Sequence, residues 1–236
     1  MGLSPLLLED KKKLNNMKFF IDTADLKQIK LANSMGILDG VTTNPSLMSM
    51  VGVKGKEEIM NHYLEICKIV DGPVSAEVLS TDYDSMILEG QELNDLHANI
   101  VVKLPMTHDG VRAIKYLSSI GIKTNCTLVF SVGQALIAGK AGATYVSPFV
   151  GRLDDISSDG LSLIKEIKKV FDNYSKCEID TKILAASIRN QMHIIDCAKI
   201  GADVITAPLN VLQSLISHPL TDSGMNKFIE DTKKFI

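Results

Sequence analysis

Two textures alternate along the chain. Short apolar runs rich in β-branched residues are separated by longer stretches in which apolar positions recur at helical spacing. The runs predict strands over residues 19–23, 40–43, 74–79, 100–104, 123–129, 145–150, 182–187 and 204–207. The stretches between them predict helices over 26–34, 56–70, 83–97, 109–119, 132–141, 161–174, 189–200 and 210–217. Strands that are apolar on both faces and joined by helices belong to a parallel sheet covered on both sides. Eight such units in a chain of 236 residues predict one (β/α)8 TIM barrel over residues 17–236, with a C-terminal helix over 224–235. An open, doubly wound sheet is the alternative. It has less support because no G-x-G-x-x-G or P-loop follows any strand.

Gly36, Gly121, Gly142 and Gly201 each fall just after a predicted helix and just before a predicted strand. Glycine there accepts the left-handed backbone that ends a helix. These positions mark one end of the barrel, so polar residues at the opposite strand ends become the functional candidates. Residues 1–16 read differently from the rest: a leucine triplet, two acids, then three lysines. A secretory signal has the reverse order and a longer apolar run. This stretch is expected to be a disordered leader or extension outside the fold, with a short amphipathic contact helix as the alternative.

Composition narrows the partners more than the fold. With 25 basic and 28 acidic residues the formal charge is −3, which gives no general attraction to nucleic acid or anionic membrane. No stretch reaches the roughly 20 apolar residues of a membrane helix. Cys67, Cys126, Cys177 and Cys197 are widely spaced and include no C-x-x-C pair, so reduced thiols in a cytoplasmic protein are expected. Any anion site must be local.

The strand-end candidates are Asp22, Thr42, Asn44, Glu77, Lys103, Asn125, Thr127, Ser147 and Ser187, with Arg189 just beyond. Lys103 is the most unusual, set in the apolar run IVVKLP. Lysine is almost never fully buried without a partner. It could snorkel toward water or neutralise a carboxylate. It could also be a desolvated amine, since burial disfavours an ammonium and a neutral amine attacks ketones. Asp22 could cap the helix that follows it, and Glu77 could simply pair with Lys103. Two carboxylates and a lysine at one barrel mouth instead point to acid–base chemistry. Asn125 and Thr127 alternate on one strand face, facing inward together as a site or as a hydrogen-bonded polar layer.

Arg152 and Arg189, with Ser187, could form a fork-shaped anion site. The bland alternative is surface ion pairing, for instance of Arg152 with Asp154 or Asp155. The five histidines show no H-x-H or H-E-x-x-H spacing, so no metal site is expected. A Ser-His-Asp hydrolase would need a G-x-S-x-G elbow, which is missing.

Five stretches carry a resemblance: MKFFIDTA, GVTTNPSLM, VVKLPMT, TNCTLVFS with YVSPFVGRLDD, and ILAASIRN with VITAPLNVL. Through them the chain resembles the transaldolase family over roughly residues 17–233, in the short subfamily that includes fructose-6-phosphate aldolases. The resemblance implies a barrel enzyme that needs no cofactor and forms a Schiff base on Lys103. It implies that Asp22 takes the proton from the donor's C4 hydroxyl. Glu77, with Thr127 holding a water, would shuttle protons during imine formation. Thr42, Asn44, Asn125, Ser147 and Phe149 would line the pocket, and Arg152, Ser187 and Arg189 would bind the substrate phosphate.

The same resemblance leans toward transaldolase. Glu77 stands where aldolase members tend to carry Gln, Phe149 where they tend to carry Tyr, and Asn125 and Arg189 match the transaldolase pattern. The expected reaction moves a dihydroxyacetone unit from sedoheptulose 7-phosphate or fructose 6-phosphate to an aldose phosphate, in the non-oxidative pentose phosphate pathway. Release of free dihydroxyacetone, the aldolase reaction, is the alternative. Short members tend to form rings, so a homo-oligomer, a pentamer or decamer, is expected, with the C-terminal helix packing on a neighbour.

Overall fold

The computed structural model describes residues 17–174 and 179–235. The expectation for residues 1–16, and Cys177, lie outside them. Eight parallel strands close into a barrel in sequence order. They are β1 (Lys18–Asp22), β2 (Gly40–Thr42), β3 (Val74–Glu77), β4 (Ile100–Pro105), β5 (Thr124–Val129), β6 (Tyr145–Pro148), β7 (Lys182–Ala185) and β8 (Val204–Ala207). The first helices are α1 (Leu26–Ser34), α2 (Pro45–Met50), α3 (Lys56–Ile69), α4 (Tyr83–Leu96) and α5 (His108–Ser119). They continue with α6 (Val132–Ala141), α7 (Val150–Asp154), α8 (Gly160–Tyr174), α9 (Gln191–Ile200), α10 (Leu209–Ser214) and α11 (Pro219–Thr232). The (β/α)8 barrel and its C-terminal helix are thus as the apolar pattern predicts. No helix among the described residues is long and apolar enough to cross a membrane.

Alternation along each strand sorts the core into two parts. Outward-facing residues such as Ile21, Val41, Val102, Cys126 and Val146 are buried beneath the helices. Inward-facing Phe20, Val101, Tyr145, Leu184 and Val204 fill the lower barrel. One step further along the same strands the inward positions turn polar: Asp22, Lys103, Ser147 and Thr206. The lower barrel is therefore a dry plug, and polar chemistry is confined to the C-terminal mouth.

The helix ends agree with this polarity. Gly142 and Gly201 close α6 and α9 with φ of 91°, at the end away from the mouth. At the mouth, side chains cap helix starts: Asp25 on α1, Asn44 on α2, Asp82 on α4, Thr107 on α5, Ser131 on α6 and Asn190 on α9. Some elements differ from expectation. The helices α2 and α7 were not predicted, and α11 begins at Pro219 rather than at 224. The strand β6 ends at Pro148, and after it only a single parallel bridge joins Phe149 to Ala186, with the Val150 N–H donating to the Ala186 carbonyl at 2.9 Å, before α7 begins. Cys67, Cys126 and Cys197 are buried free thiols.

Candidate active site

Strand register brings the candidates together. Glu77 on β3 pairs with Lys103 on β4, and Lys103 with Asn125 on β5. Asp22 on β1 pairs with Thr42 on β2. These neighbours enclose a pocket of about 120 Å³ at the barrel mouth. It is lined by Asp22, Thr42, Asn44, Lys103, Thr127, Ser147, Phe149, Arg152, Ala186, Ser187 and Thr206. Glu77, Asn125 and Arg189 stand behind or beside this lining.

Lys103 is 6% exposed. Its Nζ lies 3.0 Å from Glu77 Oε2 and donates to the Thr43 carbonyl at 2.8 Å. The bland expectation of a neutralised lysine is met, yet the amine also faces the pocket. A buried charge needs such partners. The carboxylate that satisfies the ammonium is also placed to receive its proton without an intermediary. Tyr63 of α3 braces this arrangement from outside the barrel. Its hydroxyl accepts from the Glu77 N–H at 3.2 Å and donates to Thr43 Oγ1 at 3.2 Å, because Thr43 spends its own proton on the Ser75 carbonyl at 3.0 Å. Burial pushes the Tyr63 phenol up to about 12, so it stays protonated.

Asp22 caps no helix. Asp25 caps α1 instead, accepting from the Lys27 and Gln28 N–H groups. Asp22 Oδ1 accepts from Thr42 Oγ1 at 2.7 Å. Thr42 Oγ1 also lies 2.6 Å from Thr206 Oγ1. Thr42 spends its one hydroxyl proton on Asp22, so Thr206 must donate to Thr42. The resulting chain from β8 to β1 aims hydrogen-bond polarity at the carboxylate. Burial raises the Asp22 pKa above the ordinary carboxylate value, against the smaller opposing effects of Lys103 and the Thr42 bond. The carboxyl is tuned toward taking up a proton.

The other candidates divide by role. Asn44 Oδ1 is used as a cap, accepting from the Leu47 N–H at 3.0 Å, which leaves its amide N–H groups for the pocket. Asn125 is fully buried beneath the pocket, where it donates to Ser75 Oγ at 3.2 Å and accepts from Ser147 Oγ at 2.7 Å. The polar-layer expectation holds for it. Thr127 Oγ1 is buried without a hydrogen-bond partner.

The arginines are placed differently from one another. Arg152 lies over the Phe149 ring, 4.9 Å from its centroid. Arg189, rather than Arg152, forms the surface ion pair. It makes two bonds to Asp155, of 2.7 and 2.5 Å. Its stem rests on Gly151, where an added Cβ would sit 2.6 Å from Arg189 Nε and 2.5 Å from the Ser187 carbonyl. Ser187 has φ of 57° and is held there by the Gly151 N–H at 2.9 Å. Gly151→Ala is therefore expected to displace the Arg189 and Ser187 loop.

Sequence reasoning missed Thr206 and Tyr63. Thr206 is the polar member of an otherwise apolar strand, a visible signal that a search for ionisable groups passes over. Tyr63 sits on the inner face of a helix, where a hydroxyl needs a partner.

Comparisons with known proteins give the family. The family model described as Transaldolase/Fructose-6-phosphate aldolase matches residues 19–236. This chain belongs to that family. A protein of Flavobacterium psychrophilum named "Probable transaldolase" is 62% identical over 218 residues, covering 92% of this chain and 99% of its own length. Relatives of the same name from Porphyromonas gingivalis and Phocaeicola vulgatus are 62% and 61% identical, covering 98% and 99% of their own lengths.

Proposed function

We propose that this chain is a transaldolase that carries a dihydroxyacetone unit on Lys103. One observation supports it most: an amine paired with Glu77 at 3.0 Å, opening on a pocket that also holds the proton-seeking Asp22. Glu77 takes a proton from Nζ, and the amine attacks the C2 ketone of sedoheptulose 7-phosphate or fructose 6-phosphate. The carbinolamine loses its oxygen as water, with the proton returned by Glu77 and a water held at Thr127. The protonated imine is an electron sink. Asp22 takes the C4 hydroxyl proton, the C3–C4 bond breaks, and its electron pair forms the enamine. The aldose phosphate leaves. The enamine then attacks an acceptor aldehyde, the steps reverse, and water releases the new ketose.

Thr42, Asn44, Ser147 and Phe149 would hold the three-carbon unit, with Asn125 fixing Ser147 from below. Arg152, Ser187 and Arg189 would hold the phosphate, so Arg189 must exchange Asp155 for substrate. Arg189→Ala is expected to raise the Michaelis constant for fructose 6-phosphate about tenfold or more, checked by initial rates. The reaction fits the cytoplasmic, non-oxidative part of pentose phosphate metabolism and calls for no cofactor.

A homo-oligomer, a pentamer or decamer, is part of the proposal. Its support is α11, which buries none of its residues and exposes Leu220, Met225, Phe228 and Ile229. Replacing Phe228 and Ile229 by Asp should reduce the mass measured by light scattering to that of one chain. An unchanged mass would remove α11 from the interface.

The activity is tested by mixing the protein with fructose 6-phosphate and erythrose 4-phosphate. Sedoheptulose 7-phosphate should form. Faster release of dihydroxyacetone from fructose 6-phosphate alone would assign the aldolase reaction instead.

A further inference from the structure

The strand beside Lys103 is irregular at one point. Its pairing with β6 runs Asn125 with Tyr145 and Cys126 with Val146, then resumes at Val129 with Pro148. Regular continuation would pair Thr127 with Ser147. Instead Thr127 and Leu128 share that partner, so β5 carries one extra residue, a β-bulge. Leu128 takes up the extra length with φ of 60°. That left-handed conformation is uncommon for any residue other than glycine and costs free energy.

The bulge has two effects on side chains. It turns Val129 out of the barrel into the core beneath the helices. It also breaks the β5–β6 ladder beside Thr127, while the β4 side stays intact: Thr127 pairs with Pro105 and accepts from the Met106 N–H at 2.9 Å. Thr127 is thus anchored to the lysine's strand and released from Ser147's. In a regular register the two inward hydroxyls would stand on neighbouring strands about 4.8 Å apart, close enough for them to bond. In the structure Ser147 donates to Asn125, and Thr127, a residue 1% exposed that lines the pocket, has a buried hydroxyl with no partner.

We infer that Leu128 is a positioning residue: its left-handed backbone holds the Thr127 hydroxyl unpaired in the pocket, ready for the water that enters and leaves during imine chemistry. This inference rests on the Schiff-base reading of Lys103 and Thr127 given above. Leu128 acts through backbone conformation rather than contact. Its replacements should therefore rank by tolerance of positive φ, not by resemblance to leucine.

The experiment compares Leu128→Ile, Leu128→Gly and Thr127→Ala, alone and combined. The readouts are kcat and KM for fructose 6-phosphate with erythrose 4-phosphate, and exchange of ¹⁸O from water into the ketone. Thr127→Ala should slow exchange and kcat about 10- to 100-fold. Leu128→Ile, β-branched and hostile to positive φ, should do the same with KM nearly unchanged. Thr127→Ala should then add nothing. Leu128→Gly should keep nearly full rates, because glycine adopts the conformation freely. If Leu128→Ile does not fold, Leu128→Ala against Leu128→Gly carries the comparison, with glycine the faster.

A harmless Thr127→Ala would defeat the Thr127 reading and this inference with it. A harmful Thr127→Ala that costs the same in the Ile background would overturn the role of Leu128 alone. Equal rates in the Gly variant and in the Ile or Ala variant would do so too.

Discussion

Lys103→Met should lower turnover at least about 10⁴-fold while leaving a cooperative thermal transition and an unchanged circular dichroism spectrum. The size follows from chemistry. Without the amine no imine forms, and neither Asp22 nor Glu77 offers another electron sink for the C3–C4 bond. The folding expectation follows from packing. Lys103 occupies a strand on which Ile100, Val101, Val102 and Leu104 are also buried, and methionine keeps most of its volume. Glu77 loses its cation but its side chain is 14% exposed, so water can reach it. The check is a transaldol assay beside a melting curve. Near-wild-type turnover in a folded variant would remove Lys103 from the mechanism.

Asp22→Asn should slow kcat about 10²- to 10⁴-fold and yet make the protein more heat-resistant at neutral pH. The two effects share a cause. Burial raises the Asp22 pKa in the folded chain. A carboxyl raised in this way binds its proton more readily folded than unfolded. The stability it contributes is complete below the ordinary carboxylate pKa and is lost as pH rises through the raised one. At neutral pH the buried charge is a net cost, which Asn removes while still accepting from Thr42. The melting temperature of the variant should exceed that of the wild type at pH 7, with the gap closing toward pH 4. The acid limb of kcat/KM, set by protonation of Asp22, should disappear in the variant. Wild-type kcat for Asp22→Asn would mean that another group takes the C4 proton.

The barrel was legible because all eight strands are apolar runs of the right length, and nothing else in the chain competes with that pattern. The misread elements have specific causes. Val150 continues an apolar run in sequence, yet the pairing ends with a single bridge between Phe149 and Ala186, and the chain turns into α7 at Val150. The helix α2 was announced by Asn44-Pro45, a cap followed by a proline at the first turn, but six residues are too few for a visible period. Arg189 was expected to start a helix. Asn190 caps α9 instead and leaves Arg189 in the loop.

The ionisable members of the site stood out for the same reason as the fold: charge is conspicuous in an apolar run. Of their partners, only Glu77 for Lys103 was legible. Arg189 chooses Asp155 across 34 residues of sequence, a pairing that depends on the fold. Thr206 is visibly polar in its strand, but its bond to Thr42, and through Thr42 to Asp22, depends on the barrel closing, and the bulge at Leu128 is a matter of one dihedral angle that leaves no mark on composition or spacing.

The most direct test of the account is reductive trapping. The protein is incubated with fructose 6-phosphate and sodium borohydride, digested, and its peptides weighed by mass spectrometry. The account predicts a reduced sugar adduct on Lys103, absent without the sugar and absent from Lys103→Met. Loss of activity with no adduct, or an adduct on a different lysine, would contradict it.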